Sequence, residues 1–205
     1  MQTRKQIGMR CSSSIADVRE EPSDTSRLAS QLLLHEPVRI LEKRDGWARV
    51  QTAYNYQGWV REAHLEAGSP DWPPAIRNGN PVDEARRYLG STYLWGGMSR
   101  DGIDCSGLVH MAHRALGIVV PRDAWQQETV GRPVDPADRR TGDLVTFGRD
   151  RATHIAFWLG ASDLLHATGR EGVCRVLEEA APADLWETRR QFFRFVKRAP
   201  GENHG

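Results

Sequence analysis

Three cysteines and seven histidines supply the nucleophilic and basic options of this 205-residue chain. Cys105 is the first candidate, because Asp104 before it is a favoured N-cap type and Leu108, Met111, Ala112 and Ala115 after it recur at the spacing of one buried helix face. The pattern predicts a helix over Ser106–Leu116 ended by Gly117, with Cys105 in the first turn. Unpaired backbone N–H groups and the helix dipole favour an anion there, which lowers a thiol pKa and activates it as a nucleophile. One turn back from Leu108, Cys105 lies at the edge of the apolar face and should point into a cleft. A cysteine nucleophile needs a base, and the base needs a group to orient it. His154–Leu159 and Asp163–Ala167 alternate as two strands across Gly160-Ala161-Ser162, a hairpin pattern. In that register Leu159 faces Asp163 and Ala156 faces His166, so His154 and His166 are diagonal neighbours, about 7 Å apart at the backbone. A slip of one residue would put the two rings on opposite faces, so the pair depends on the loop.

The other candidates have plainer readings. Cys174, in the alternating run Val173–Val176, is expected to be a buried small hydrophobe, and Cys11 a surface or frayed-terminus thiol. His110 and His113 share a helix face and could bind a metal, but without further ligands a solvated face is expected. His35 and His64 have no partner pattern. Trp47 and Trp59 read as core of a β unit, Trp158 and Trp186 as packing, and Asp138-Arg139-Arg140 as an exposed loop.

The elements that position these residues fall into an α+β arrangement. Short alternating segments from Ile15 to Glu66, including Pro37–Glu42 and Trp47–Gln51, are separated by turn signals at Asp45-Gly46 and Asn55. This predicts a small all-β unit over 11–68, a Pro-rich linker over 69–80, and a second domain over 81–199 that opens with a helix at Val82–Leu89. The composition, 39% hydrophobic and 27% charged, is that of a folded globular chain rather than a disordered or fibrous one. Lys and Arg number 28 against 27 Asp and Glu, so no global field draws the chain to nucleic acid or an anionic membrane. The odd, scattered cysteines argue against a disulfide scaffold. No apolar run approaches the length of a membrane span. Met1–Arg10 is basic but leads into no apolar segment, and Arg10 before Cys11 is not a lipoprotein signal, so a cytoplasmic location is expected.

Five motifs in order carry a resemblance: Tyr93-Leu94-Trp95-Gly96-Gly97, Asp104-Cys105-Ser106-Gly107-Leu108-Val109, Pro121-Arg122-Asp123, Gly142-Asp143-Leu144 and His154-Ile155-Ala156. Together, over roughly 81–196, they resemble the NlpC-type cell-wall cysteine endopeptidases, which are papain-like. The β unit, ending in Tyr56-Gln57-Gly58-Trp59-Val60, is similar to the bacterial SH3-like domains often attached to these peptidases. The implied fold is an SH3-like β-barrel followed by a domain with a central antiparallel sheet and packed helices.

The resemblance implies Cys105 as nucleophile, His154 as general base and acid, and His166 as the residue that orients it. It implies that Tyr93, Trp95, Asp104, Ser106 and Asp123 line the substrate site, with Tyr56, or else the nearby Tyr54, closing its amine end. Asp104 and Asp123 would offer carboxylates to a free ammonium group, and Trp95 an aromatic face. The chain departs from the family pattern at Ala124, where a small hydroxyl residue is common. The implied reaction is cleavage between γ-D-glutamate and a diamino acid, diaminopimelate or lysine, in peptidoglycan stem peptides with a free N-terminal L-Ala, as in muropeptide recycling. No cofactor or metal is called for, and a monomer is expected that binds neither nucleic acid nor membrane. The rival classes are an amidase or acyltransferase on the same scaffold, a non-catalytic wall-binding protein, and a Cys/His metal protein.

Overall fold

The computed structural model describes residues 8–68, 72 and 75–195. The N-terminal unit is one antiparallel sheet of β1 (Met9–Cys11), β2 (Ile15–Arg19), β3 (Leu28–Leu33), β4 (Pro37–Arg44), β5 (Trp47–Thr52), β6 (Gln57–Arg61) and β7 (Leu65–Ala67). Their spatial order among the described residues is β3-β2-β6-β5-β4-β1-β7. Tight β4–β5 connection follows from Asp45 and Gly46, which both adopt positive φ. Alternation buries Val18, Leu32, Ala48, Val50 and Val60 in one cluster. Cys11 belongs to that cluster and is fully buried, contrary to the expected surface thiol, because β1 is held between β4 and β7. Trp47 and Trp59 are buried as expected but stand outside this cluster; the guanidiniums of Arg61 and Arg44 cover their rings.

Part of the expected linker, 69–71 and 73–74, lies outside the described residues, as do the chain's first seven residues and 196–205. Trp72 lies under Arg114, and Arg77 donates its backbone N–H to Leu116, so this stretch runs along the end of the central helix. The first helix, α1 (Pro81–Arg86), is shorter than predicted; Asn80 caps it by accepting from the Val82 N–H. A small hairpin, β8 (Met98–Ser99) and β9 (Gly102–Ile103), leads into α2 (Cys105–Arg114), followed by α3 (Ala124–Val130). The second sheet comprises β10 (Arg132–Pro133), β11 (Leu144–Gly148), β12 (His154–Gly160), β13 (Asp163–Thr168), β14 (Arg175–Ala180) and β15 (Arg189–Arg194), with α4 (Ala183–Trp186) before β15. Its order is β10-β15-β11-β12-β13-β14, antiparallel throughout. One face packs on α1 and α2 through Leu108, Val109, Ile155, Phe157 and Leu165. The other holds Val145, Phe147, Trp158 and Phe192, with Trp186 against them. No helix among the described residues is long and apolar enough to cross a membrane.

The two units meet along α2 and the segment before it. Gly96 has φ +78°, and a Cβ there would come within 2.9 Å of the Leu28 carbonyl of the β unit. A Cβ on Gly107 would meet the Gly97 carbonyl at 2.4 Å, so only glycine lets the helix start sit this close. Met98 N–H donates to Gln31 at 3.0 Å, and Arg114 pairs with the fully buried Glu36 at 2.7 Å. α2 is thereby covered on both sides, and no solvated face remains. His110 is 0% and His113 4% exposed, which corrects the expectation of a solvated pair. His110 packs edge-on against Tyr54, and His113 Nδ1 donates to the Val109 carbonyl.

Burial pushes His110 down to about 3 and His113 down to about 4. The unfolded chain takes up these protons below about pH 6.5, whereas the folded chain excludes them until about pH 4, so stability is lost as pH falls through this window. The midpoint of urea unfolding should therefore decline across it, and less steeply in His113→Gln. A midpoint that does not move with pH there would contradict two buried neutral histidines.

Candidate active site

Asp104 builds the helix start that carries the thiol. Its Oδ1 accepts the Gly107 N–H at 2.7 Å and its Oδ2 accepts the Gly96 N–H at 2.7 Å. Arg122, only 1% exposed, grips both oxygens at 2.9 and 2.8 Å and also donates to Ser106 Oγ at 2.9 Å. Its Nε reaches Ser30 of the β unit at 3.1 Å. Burial alone would lower the Arg122 pKa; the Asp104 charge outweighs that and raises it. Both Asp104 and Ser106 face the cleft, but their side-chain oxygens are engaged by Arg122 and the backbone. The expectation that Asp104 offers a free carboxylate to an ammonium is therefore corrected: this carboxylate fixes the architecture.

Cys105 is 8% exposed and lines a cleft of about 450 Å³. The thiol meets the backbone N–H groups of Ile155 and Ser106, which places it beside the residue that follows His154. Burial pushes the thiol up to about 12, with the Asp104 charge adding to it and those backbone donors opposing. The helix start alone predicts a lowered value; enclosure wins because desolvating a thiolate outweighs a partial helix charge. Cys105 thus rests as the neutral thiol.

The hairpin brings the two histidines together. Phe157 pairs with Leu165 and Trp158 with Leu164, the register expected from the sequence. The connection is one residue tighter than expected: Gly160 pairs with Asp163, and an irregularity between Trp158 and Gly160 absorbs Leu159. Gly160 and Ala161 adopt positive φ to close it. The two rings share a face, with His154 Nε2 2.7 Å from His166 Nδ1. His166 Nε2 lies 3.0 Å from Glu179 Oε1, and Arg170 holds the other Glu179 oxygen at 2.7 Å. Burial would raise the Glu179 pKa, but the bonds from Arg170 and His166 lower it overall, so it is a carboxylate. A carboxylate accepts only, which makes His166 Nε2 a donor and its Nδ1 an acceptor. His154 Nε2 must then donate, leaving His154 Nδ1 with the free lone pair of a base. Burial, with the neighbouring His166 second, pushes His154 down to about 3, so it rests neutral. Glu179 was not among the expected site residues; finding it requires the β13–β14 pairing across 169–174, for which the sequence carries no register signal.

The cleft walls come from both units: Glu20, Arg27, Ala29 and Tyr56 from the β unit, and Tyr93, Trp95, Asp123, Ala124, Trp125 and Arg151–Thr153 from the second. Tyr56 donates its hydroxyl to the Ala29 carbonyl at 3.3 Å, and burial followed by the Asp123 charge pushes its pKa up to about 12. Tyr54, the other candidate, is buried against His110 and lines no part of the cleft. Burial raises the Asp123 pKa. Trp95 is 50% exposed, but its ring already carries the Arg27 guanidinium at 4.0 Å, so its cation–π partner is internal. Cys174 is exposed at φ +40°, not buried, because it sits in the turn before β14 rather than in a strand. Among the described residues no cluster of His, Cys, Asp and Glu could hold a metal ion.

Residues 90–190 match the NlpC/P60 family, and 18–65 match the bacterial dipeptidyl-peptidase SH3 domain. A γ-D-glutamyl-L-lysine dipeptidyl-peptidase from Bacillus subtilis is 30% identical over 163 residues, covering 75% of this chain and 53% of that protein. A murein DD-endopeptidase/LD-carboxypeptidase from Escherichia coli is 31% identical over 115 residues, covering 53% of this chain and 61% of that protein. This chain thus spans about half the length of the Bacillus subtilis relative. A crystal structure of an NlpC/P60 family protein from Bacillus cereus shares the fold, with a TM-score of 0.55 at 23% identity over 93% of this chain and 63% of that one. The chain therefore joins a bacterial SH3 domain of the dipeptidyl-peptidase type to an NlpC/P60 family domain.

Proposed function

We propose that this chain is a cysteine peptidase that hydrolyses the bond between γ-D-glutamate and a diamino acid in peptidoglycan stem peptides with a free N-terminal L-Ala. The observation that carries this reading is the hydrogen-bonded chain from Glu179 through His166 to His154, whose neighbour Ile155 offers its N–H to the Cys105 thiol in a cleft lined in part by the SH3 unit. The family matches and the Bacillus subtilis relative's name point the same way. His154 Nδ1 takes the Cys105 proton as Sγ attacks the γ-carbonyl, and backbone N–H groups at the start of α2 hold the oxyanion. The imidazolium returns that proton to the leaving amine. Water, deprotonated by His154, then attacks the thioester, releasing L-Ala-D-Glu and restoring the thiol. Burial disfavours both the thiolate and the imidazolium, which raises the energy of the ion pair formed when the proton moves.

Asp123, Glu20 and the Tyr56 oxygen form the acidic end that takes the L-Ala ammonium, while Tyr93 and Trp95 wall the peptide and Ser106 contributes through its backbone. An ammonium seated there requires an unblocked terminus, which suits released muropeptides better than intact wall. Mass spectrometry of products from L-Ala-γ-D-Glu-diaminopimelate, its lysine counterpart and an N-acetylated form tests the reading. Cleavage of the free peptides at the γ-glutamyl bond, with slow cleavage of the blocked one, is expected. Equal rates on free and blocked forms would remove the amine requirement, and cleavage elsewhere would remove the bond assignment. Glu179→Gln keeps the shape but loses the charge that fixes the tautomers. It should lower kcat by at least about tenfold with little change in KM; an effect confined to KM would place Glu179 outside the relay.

A further inference from the structure

The charged side chains lining the cleft are Glu20, Arg27, Asp104, Asp123 and Arg151. Asp104 is consumed by Arg122, and Arg27 is stacked on Trp95 with Glu20 at 3.9 Å. Arg151 differs from all of these. It is exposed, and among the described residues no carboxylate lies within ion-pair distance of its guanidinium. It stands in the turn between β11 and β12, three residues before His154. Ala152 behind it is buried in the same cluster as Cys105, which anchors the turn at its base. Its charge is felt by Asp123, which lines the same cleft.

The chemistry of the substrate gives this cation a task. A γ-linked D-glutamate runs its chain through the side-chain carbonyl, so its α-carboxylate is left as a branch between the ammonium and the scissile bond. With the ammonium at Asp123 and the γ-carbonyl at Cys105, that carboxylate must lie along the wall between them. Residues 123–125 and 151–153 both line this cleft. Ala124 has only a methyl group to offer, and Asp123 repels an anion.

Resting on the γ-glutamyl reading above, we propose that Arg151 forms the subsite for this α-carboxylate and is the residue by which the cleft distinguishes γ-linked D-glutamate from its α-amidated form. A guanidinium meets a carboxylate with two parallel charged hydrogen bonds, whereas a carboxamide presents one oxygen and no charge. Steady-state kinetics on L-Ala-γ-D-Glu-diaminopimelate and its α-carboxamide counterpart test this with the wild type, Arg151→Gln and Arg151→Lys. The wild type should prefer the acid by about 10- to 100-fold in kcat/KM, mainly through KM. In Arg151→Gln the acid-to-amide ratio should fall toward one. The Lys variant should lie between, since a point charge attracts without the two-pronged geometry, and it keeps the test decisive should the Gln variant fold poorly. An equal ratio in wild type and R151Q overturns the assignment of Arg151, while hydrolysis of the acid peptide leaves the γ-glutamyl reading standing. Failure of the wild type to cleave either peptide overturns that reading and the subsite with it.

Discussion

Replacing Cys105 with Ala is expected to lower turnover of L-Ala-γ-D-Glu-diaminopimelate by about 10⁴-fold or more, with folding free energy altered by about 1 kcal/mol or less. The large term is chemical. Without Sγ there is no nucleophile for His154 to deprotonate, and water placed in the cleft is a far weaker one. The small term is structural. Only one sulfur leaves a site that is 8% exposed, and the helix start is held by Asp104 and Arg122 rather than by the thiol. Product formation by mass spectrometry, alongside urea unfolding, separates the two. Near-wild-type cleavage in this variant would sink the nucleophile assignment, and loss of folding would mean that Cys105 has a structural role its packing does not suggest.

Arg122→Ala should destabilise the protein by about 3–5 kcal/mol. The side chain is fully enclosed and neutralises Asp104, whose carboxylate is itself buried. Truncation leaves that charge with backbone and hydroxyl donors but no counter-ion, and it also removes the bond to Ser30 that ties the SH3 unit to the active-site turn. Removing one partner of a buried pair costs more than the pair is worth, because the remaining ion stays desolvated. A double substitution, Asp104→Asn with Arg122→Met, should therefore recover part of the loss relative to Arg122→Ala alone. Equilibrium urea unfolding reads both. A loss under about 1 kcal/mol would show that water enters the junction and solvates Asp104.

The two predictions mark different depths of legibility. Cys105 could be found from local pattern, since an N-cap aspartate and helical apolar spacing are short-range signals and the structure reproduces both. The histidine pair was also legible, because strand alternation fixes which residues share a face, and the bulge at the loop left the Phe157–Leu165 register intact. Arg122 appeared in the sequence only as part of the Pro-Arg-Asp motif. Its partners Ser30, Gly97, Asp104 and Ser106 come from three segments of the chain, and no periodicity links them. The same holds for Glu20 and Arg151, which enter the site from a strand end of one unit and a turn of the other.

The misread residues share one cause. The local character of each segment points Cys11, His110 and His113 outward, and each is buried by a segment far away in sequence: Cys11 on β1 by β4 and β7, His110 by Tyr54 of the SH3 unit, and His113 by Phe157 and Phe195 of the second domain. Cys174 was misread the other way, because alternation over four residues does not distinguish a strand from the turn that precedes it. By itself, then, the sequence determined the order of a β unit before a mixed one, the helix start at Cys105 and the shared face of His154 and His166, since these depend on local backbone geometry and side-chain period. Tertiary structure decided the protonation states, the relay through Glu179, the engagement of Asp104 and the charge pattern of the cleft. Those depend on desolvation and on charges a few ångströms apart in space, distances that only the packing of the two units against each other sets.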